Sequence, residues 1–249
     1  PDGTKKPWQI HNTRKLDGIR DEIDALCLPE IEKAVALTSL ILAMDEVDST
    51  LGHFTSYLKD WSSRSYKEMR LKVPKIFENT EENVILKGDI FDSMKNSAVD
   101  FAYLDPPYGS NNEKMPPSRV RYASYYHVWA TICKNDKPPV FGAALRREDT
   151  SDRVAATVFE EFRKDNDGHF IAVKAIERLI QNVNAKYVAL SYSSGGKATA
   201  EELNDILNRH GKLIKTIELD YKKNVMADMK WTNEWLRDAE EPNREFIFL

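Results

Sequence analysis

Apolar positions change their spacing several times along the chain, and each change marks an element. Leu16, Ile19, Ile23 and Leu26 recur at helical intervals, and Pro29 suits the first turn of a second helix carrying Ile31, Val35, Leu40, Ile41 and Met44. Past Gly52 that period gives way to His53, Phe54, Tyr57, Lys59, Trp61, Arg64, Ser65, Tyr66 and Lys67, a mixture of aromatics, hydroxyls and cations without a repeat. From Asn83 the segments shorten. Val84-Ile85-Leu86 predicts a strand, Gly88-Asp89 a turn, Ile90 to Lys95 a short helix and Val99 to Leu104 another strand. Helices are expected over Pro117 to Cys133, Ser151 to Arg163 and Ile171 to Val183. A buried strand from Lys186 to Tyr192 then ends at Ser193-Ser194-Gly195-Gly196. Thr199, with Glu202 three residues on, forms a capping box that opens a helix to Asn208. Leu213 to Leu219 alternates as a strand does, and Arg244 to Leu249 reads as a last one. Strands interleaved with helices predict an α/β sheet carrying helices on its faces.

The 249 residues suffice for one such domain with a modest insertion. Lys and Arg number 36 against 40 Asp and Glu, a net charge of −4, so nucleic-acid contact has to use local patches. Cys27 and Cys133 are far apart and neither belongs to a CxxC pair. That argues against a disulfide framework or structural zinc and for a reducing, cytoplasmic setting. The histidines, at 11, 53, 127, 169 and 210, lack metal-ligand spacing. There is no apolar run of about 18 residues and no charged-then-apolar leader. The chain opens on Pro1 instead of Met and closes inside an expected strand, so we expect it to be part of a longer protein.

Asp105-Pro106-Pro107-Tyr108 follows directly on the Val99 to Leu104 strand, where open α/β sheets gather ligands. The prolines lack N–H groups, stiffen the turn and leave carbonyls free to accept. The Asp105 carboxylate and the Pro106 carbonyl make two acceptors, enough to hold both hydrogens of an amino group and aim its lone pair outward. Tyr108 can cover the face of an unstacked base. This arrangement suits attack of an amine on an electrophilic methyl group. Carbon-5 cytosine methylation would instead need a thiolate, typically in a Pro-Cys pair, and neither cysteine follows a proline. Transfer to an amino nitrogen needs no covalent intermediate, and the task becomes in-line placement.

With the strand before it and Gly88-Asp89-Ile90-Phe91 upstream, the tetrapeptide resembles the D12-type, or Dam-like, adenine-N6 DNA methyltransferases. The likeness extends loosely over Ser191-Tyr192-Ser193-Ser194 and Asn243-Arg244-Glu245-Phe246. The resemblance implies a Rossmann-like sheet with helices on both faces, S-adenosylmethionine as cofactor and an adenine flipped from double-stranded DNA as substrate. It implies catalytic roles for Asp105, Pro106, Pro107 and Tyr108, and a cofactor-adenine pocket made by Asp89 with Ile90 or Phe91. The family's Phe-x-Gly-x-Gly strand-turn has no counterpart: Phe141-Gly142-Ala143-Ala144 and Ser194-Gly195-Gly196 do not fit it. We therefore expect it upstream of Pro1, leaving the sheet incomplete at its N-terminus. The same order makes Asp48 to Lys75 the candidate recognition insertion. Within it Lys59, Arg64, Lys67, Arg70 and Lys72 are phosphate candidates, and His53, Ser65 or Tyr66 are candidates for base edges. Arg146-Arg147 and Lys222-Lys223 are further phosphate candidates. A restriction endonuclease is the candidate partner. Cytosine N4, RNA adenine or a protein amide stays open as the methylated amine, as does a subunit that binds DNA without methylating it. A glycine-rich strand-turn in the coding sequence just upstream would favour the enzyme.

Overall fold

A computed structural model describes residues 7–58, 60–95, 97–109, 122–151, 157–220 and 244–249. Along the chain its elements are α1 (Ile10–Ala25), α2 (Glu30–Asp45), α3 (Ile90–Ser93), β1 (Ala98–Leu104), α4 (Tyr122–Tyr125) and α5 (His127–Lys134). They continue with β2 (Val140–Phe141), β3 (Arg146–Arg147), α6 (Ile171–Asn182), β4 (Asn184–Ser193), α7 (Ala200–His210), β5 (Thr216–Asp220) and β6 (Arg244–Phe248). They fall into two compact units. The first joins Pro1–Glu82 with Ala123–Val154, and the second joins Asn83–Tyr122 with Ala155–Leu249.

The first unit is built on α1 and α2. Leu16 and Ile23 from α1 meet Leu40, Ala43 and Met44 from α2, and Trp8, Val47, Phe54, Met69 and Ile132 complete the core. Trp8, Phe54 and Trp129 form an aromatic cluster with ring centroids 5.1–5.6 Å apart, and the Trp8 indole donates to the Met44 carbonyl at 2.9 Å. Buried Arg20 ties α1 to α5 by donating to the Ile132 and Cys133 carbonyls at 2.6 and 3.2 Å. The segment from 48 to 75 lies wholly in this unit.

The second unit carries a four-stranded sheet in the order β1-β4-β6-β5. β1 runs parallel to β4, with Leu104 beside Leu190, while β6 runs antiparallel to both β4 and β5. Leu190, Tyr192, Phe246 and Phe248 share a face, onto which α6 brings Val173, Ile176, Leu179 and Ile180 and α7 brings Leu203, Ile206 and Leu207. Each such side chain contributes about 1.5–3 kcal/mol by leaving water. The capping box of α7 forms: Glu202 N donates to Thr199 Oγ1 at 3.1 Å and Thr199 N to Glu202 Oε2 at 2.8 Å. Such a cap stabilises by about 1 kcal/mol.

Four expectations are corrected. Helices were expected on both sheet faces, yet among the described residues those that pack on it lie on one. Strand alternation turns Val99, Phe101, Tyr103 and Tyr187 to the other face, where each is about half exposed. Val84-Ile85-Leu86 is exposed chain outside any strand, because an apolar run becomes a strand when a neighbour completes its ladder. The described part of the Ser151 to Arg163 helix is a 3₁₀ turn at Val158–Glu160, capped by Thr157 Oγ1. There Glu160 is buried and accepts from Tyr122 N at 2.7 Å. The helix expected up to Cys133 breaks at Tyr126 (φ −110°, ψ 17°) into α4 and α5.

Candidate active site

The C-terminal end of β1 delivers the tetrapeptide to the edge of the parallel pair, just past Leu104. Pro106 is buried and Asp105 is exposed. Tyr108 is fastened to the end of β4. Its ring lies 5.0 Å from that of Tyr192, and its carbonyl accepts from the Tyr192 hydroxyl at 3.0 Å and from Lys197 N at 2.9 Å. The Tyr192 oxygen in turn accepts from Lys197 N and Ala198 N at 3.1 and 3.2 Å. Gly196 makes this approach possible: a Cβ there would sit 2.3 Å from Tyr192 Cε1. The Tyr108 hydroxyl donates to Asp105 Oδ1 at 2.9 Å and lies 3.0 Å from Ser191 Oγ. Burial pushes the Tyr108 phenol far above its ordinary range, with the Asp105 hydrogen bond and charge adding to it. Burial likewise pushes Tyr192 up to about 12. Both phenols therefore keep their protons at neutral pH and serve as donors.

Gly88-Asp89 turns the chain into α3. Asp89 Oδ1 accepts from Phe91 N at 2.8 Å and caps that helix. Phe91 stacks on Phe159 with centroids 5.9 Å apart, and the Arg178 guanidinium sits 4.0 Å from the Phe91 centroid. Gly88 to Phe91 and Tyr103 to Pro107 line one cleft of about 780 Å³, shared with Thr157, Val158, Phe159, Arg178 and Leu179. The two motifs picked out of the sequence therefore meet. The cleft also holds residues that no local pattern marks: Thr157 and Val158 sit in a segment whose pattern suggests a helix, and nothing in the period of α6 singles out Arg178.

A profile of the D12 class N6 adenine-specific DNA methyltransferases matches residues 5–193, a stretch that contains both motifs and the whole cleft lining. The chain belongs to this family. It is 29% identical over 211 residues to the modification methylase StsI of Streptococcus sanguinis, covering 83% of this chain and 29% of that protein. Identity is 26% over 245 residues to the type II methyltransferase M.FokI of Planomicrobium okeanokoites, covering 97% and 34%. It is 24% over 217 residues to the type II methyltransferase M.NlaIII of Neisseria lactamica, covering 85% and 58%. The chain thus spans roughly a third of the length of the StsI and FokI proteins. No solved structure matches it.

In this D12-class chain the candidate DNA contacts sort by what holds them. The carboxylate of buried Asp48 pairs with the Arg64 guanidinium and accepts from Thr50 Oγ1, while its carbonyl accepts from Arg64 Nε at 3.0 Å and Ser62 Oγ at 2.8 Å. Arg64 is thereby committed to bracing the loop. Ser65 is fully buried and donates to the Ser62 carbonyl at 2.7 Å, which removes it from the base-edge candidates. Arg147 is corrected as well. Its guanidinium is buried, donating to Asp136 at 2.6 and 2.8 Å and to Asp149 at 3.0 and 2.8 Å. That ion triad braces the β2–β3 hairpin and is not placed to meet a phosphate. Lys72 pairs with Glu46 at 2.7 Å, and the Arg146 guanidinium lies 4.6 Å from the Phe141 centroid. His53 stacks on Tyr125 at 4.7 Å, and burial lowers its pKa. Tyr66, Lys67 and Arg70 are exposed. Lys59, Lys222, Lys223 and Asn243 lie outside the described residues. Among those described, no acidic, His or Cys cluster could hold a metal ion, and no helix is long and apolar enough to cross a membrane.

Proposed function

We propose that this D12-class chain carries the chemistry for moving a methyl group from S-adenosylmethionine to N6 of an adenine flipped out of double-stranded DNA, on a Rossmann-like sheet. The observation that carries the reading is the single cleft lined by Gly88-Asp89-Ile90-Phe91 and by Asp105-Pro106-Pro107. The residues suit the cofactor: Asp89 offers an exposed carboxylate as acceptor, Ile90 an exposed apolar face, and Phe91 a wall braced by Phe159 and Arg178. The cofactor supplies a methyl group on a sulfonium centre. On the protein side, Tyr108 occupies Asp105 Oδ1 and leaves Oδ2, with the Pro106 carbonyl, to accept the two hydrogens of the amine. Holding both hydrogens aims the nitrogen lone pair, and a strong base is dispensable because the proton leaves once the nitrogen is positively charged. The Tyr108 ring would flank the base. Exposed Tyr66 and Lys67, with Arg146, would meet the duplex from the first unit. The description of the relatives as modification and type II enzymes fits a restriction endonuclease as partner.

Duplex DNA incubated with the full-length chain and S-adenosylmethionine, then digested to nucleosides, should yield N6-methyladenine by mass spectrometry. Asp105→Ala should lower the yield at least about a hundredfold with an unchanged thermal transition. N4-methylcytosine as the product, or an active Asp105→Ala variant, would overturn the proposal.

A further inference from the structure

Where β1 and β4 end, one sheet face turns from apolar to polar. Its rungs are Phe101 beside Tyr187 and Tyr103 beside Ala189, and one alternation further come Asp105 and Ser191. Ser191 is only 8% exposed, so its hydroxyl needs a partner within the protein. The Tyr108 hydroxyl provides one: its oxygen lies 3.0 Å from Ser191 Oγ and 2.9 Å from Asp105 Oδ1. The direction of these bonds follows from the hydrogens at hand. As the acceptor of the amine Asp105 is a carboxylate, which only accepts, so the single phenol hydrogen goes to Oδ1. The phenol oxygen is then left to accept, and Ser191 is its donor. With the order reversed and Tyr108 donating to Ser191, two oxygens would face each other at 2.9 Å across the Asp105 contact with no hydrogen between them. At its backbone end Tyr108 is already fixed, because its carbonyl accepts from the Tyr192 hydroxyl at 3.0 Å and from Lys197 N at 2.9 Å. Ser191 acts on the other end, the one that meets the acid.

We infer that Ser191 is a positioning residue for methyl transfer: by donating to the Tyr108 oxygen it commits the one phenol hydrogen to Asp105 Oδ1 and so holds Oδ2 in the orientation that receives the amine. This rests on the methyl-transfer reading above. The relay runs from the Ser191 hydroxyl to the Tyr108 hydroxyl to the Asp105 carboxylate, and each link is at hydrogen-bond distance. A neutral donor suits the place, since it orients the phenol without setting a second charge beside the acid. Without it the phenol hydrogen is free to swing, and the carboxylate loses the contact that fixes its plane.

Steady-state methylation by the full-length chain tests this. Ser191→Ala should lower kcat about tenfold with KM for DNA and cofactor little changed, because the loss is in placement, not in binding. Ser191→Thr keeps the hydroxyl, suits a strand and should recover most of that loss. Once Tyr108→Phe has removed the phenol, adding Ser191→Ala should cost nothing further. An unimpaired Ser191→Ala chain, a Ser191→Thr chain as impaired as Ser191→Ala, or a full additional loss on top of Tyr108→Phe overturns the inference. The rival destination for the phenol hydrogen is Glu245, which lies opposite Ser193 on the same face of the β4–β6 ladder. Glu245→Gln should leave kcat within about twofold, and a loss as large as that of Ser191→Ala would give the hydrogen to Glu245 instead. Infrared spectra of the chain labelled on its tyrosine rings keep this inference apart from the methyl-transfer reading. The Tyr108 C–O stretch, assigned by its disappearance in Tyr108→Phe, should be that of a phenol that both donates and accepts, and in Ser191→Ala that of one that only donates. A band that Ser191→Ala leaves in place refutes the role of Ser191 whatever the chain methylates. A band that moves in a chain that methylates another amine upholds the relay and overturns the adenine reading alone.

Discussion

Tyr192 shows how much a single side chain can organise. One hydroxyl donates to the Tyr108 carbonyl and accepts from two successive backbone N–H groups, while its ring packs into the core beneath. The space its ring occupies exists because residue 196 has no Cβ. Gly196→Ala brings that carbon to 2.3 and 2.8 Å from the ring, and the ring is part of the core instead of a loose end that can swing away. We expect this variant to lose about 1–3 kcal/mol of stability in denaturant titrations. It should also lose turnover disproportionately, because Tyr108 shifts with Tyr192. An active, fully stable Gly196→Ala chain would show that the Tyr192 contact does not set the tetrapeptide. At this scale Asp105-Pro106-Pro107-Tyr108 was legible in the sequence, since an acid, two missing N–H groups and an aromatic are properties of the residues themselves. The destination of the Tyr108 hydroxyl was not, because Ser191 reaches it from far along the chain.

Among the elements, the short β2–β3 hairpin owes its place to Arg147 and the two carboxylates around it. Hydrogen bonds from the guanidinium hold the Asp136 and Asp149 carboxyls below their ordinary values. The folded state thus keeps both ionised where the unfolded chain takes up protons. Their stabilisation is full above the ordinary carboxylate pKa of about 3.9 and drains away as pH falls through the lower folded-state values. Arg147→Ala should therefore melt several degrees lower than the parent chain at neutral pH, and the gap should narrow below about pH 4. The salt dependence of DNA binding should stay as it was. A flattened salt slope with unchanged melting would return Arg147 to the phosphate contacts. The paired arginines 146 and 147 read in sequence as one charge patch, and the fold gives them separate partners. Capping and period, by contrast, were legible: Thr199 and Glu202 placed the start of α7, and the apolar stripe of α6 placed that helix, because both signals are local. Val84-Ile85-Leu86 was misread because strand formation depends on a partner that no local window contains.

For the molecule as a whole, among the described residues the second unit leaves one side of its sheet apolar and uncovered, with Val99, Phe101, Tyr103 and Tyr187 about half exposed. An apolar face of that kind is an association hazard. Residues 1–249 should bind a hydrophobic dye and scatter light increasingly with concentration, and the double change Phe101→Ser with Tyr187→Ser should suppress both. A parent chain that stays monodisperse and dark to the dye would show the face to be covered in solution. Neighbouring residues and their spacing are enough to settle the interleaved α/β character, most helices of the second unit, the chemistry of the tetrapeptide and the family, because each is a local property. The tertiary structure decided the rest. It closed Gly88 to Phe91 and Tyr103 to Pro107 around one cleft, chose which arginines are braces, and set Ser191 beside the Tyr108 hydroxyl. Those are contacts between distant segments, and they are fixed by strand register and by the packing of a shared core, neither of which a local pattern specifies.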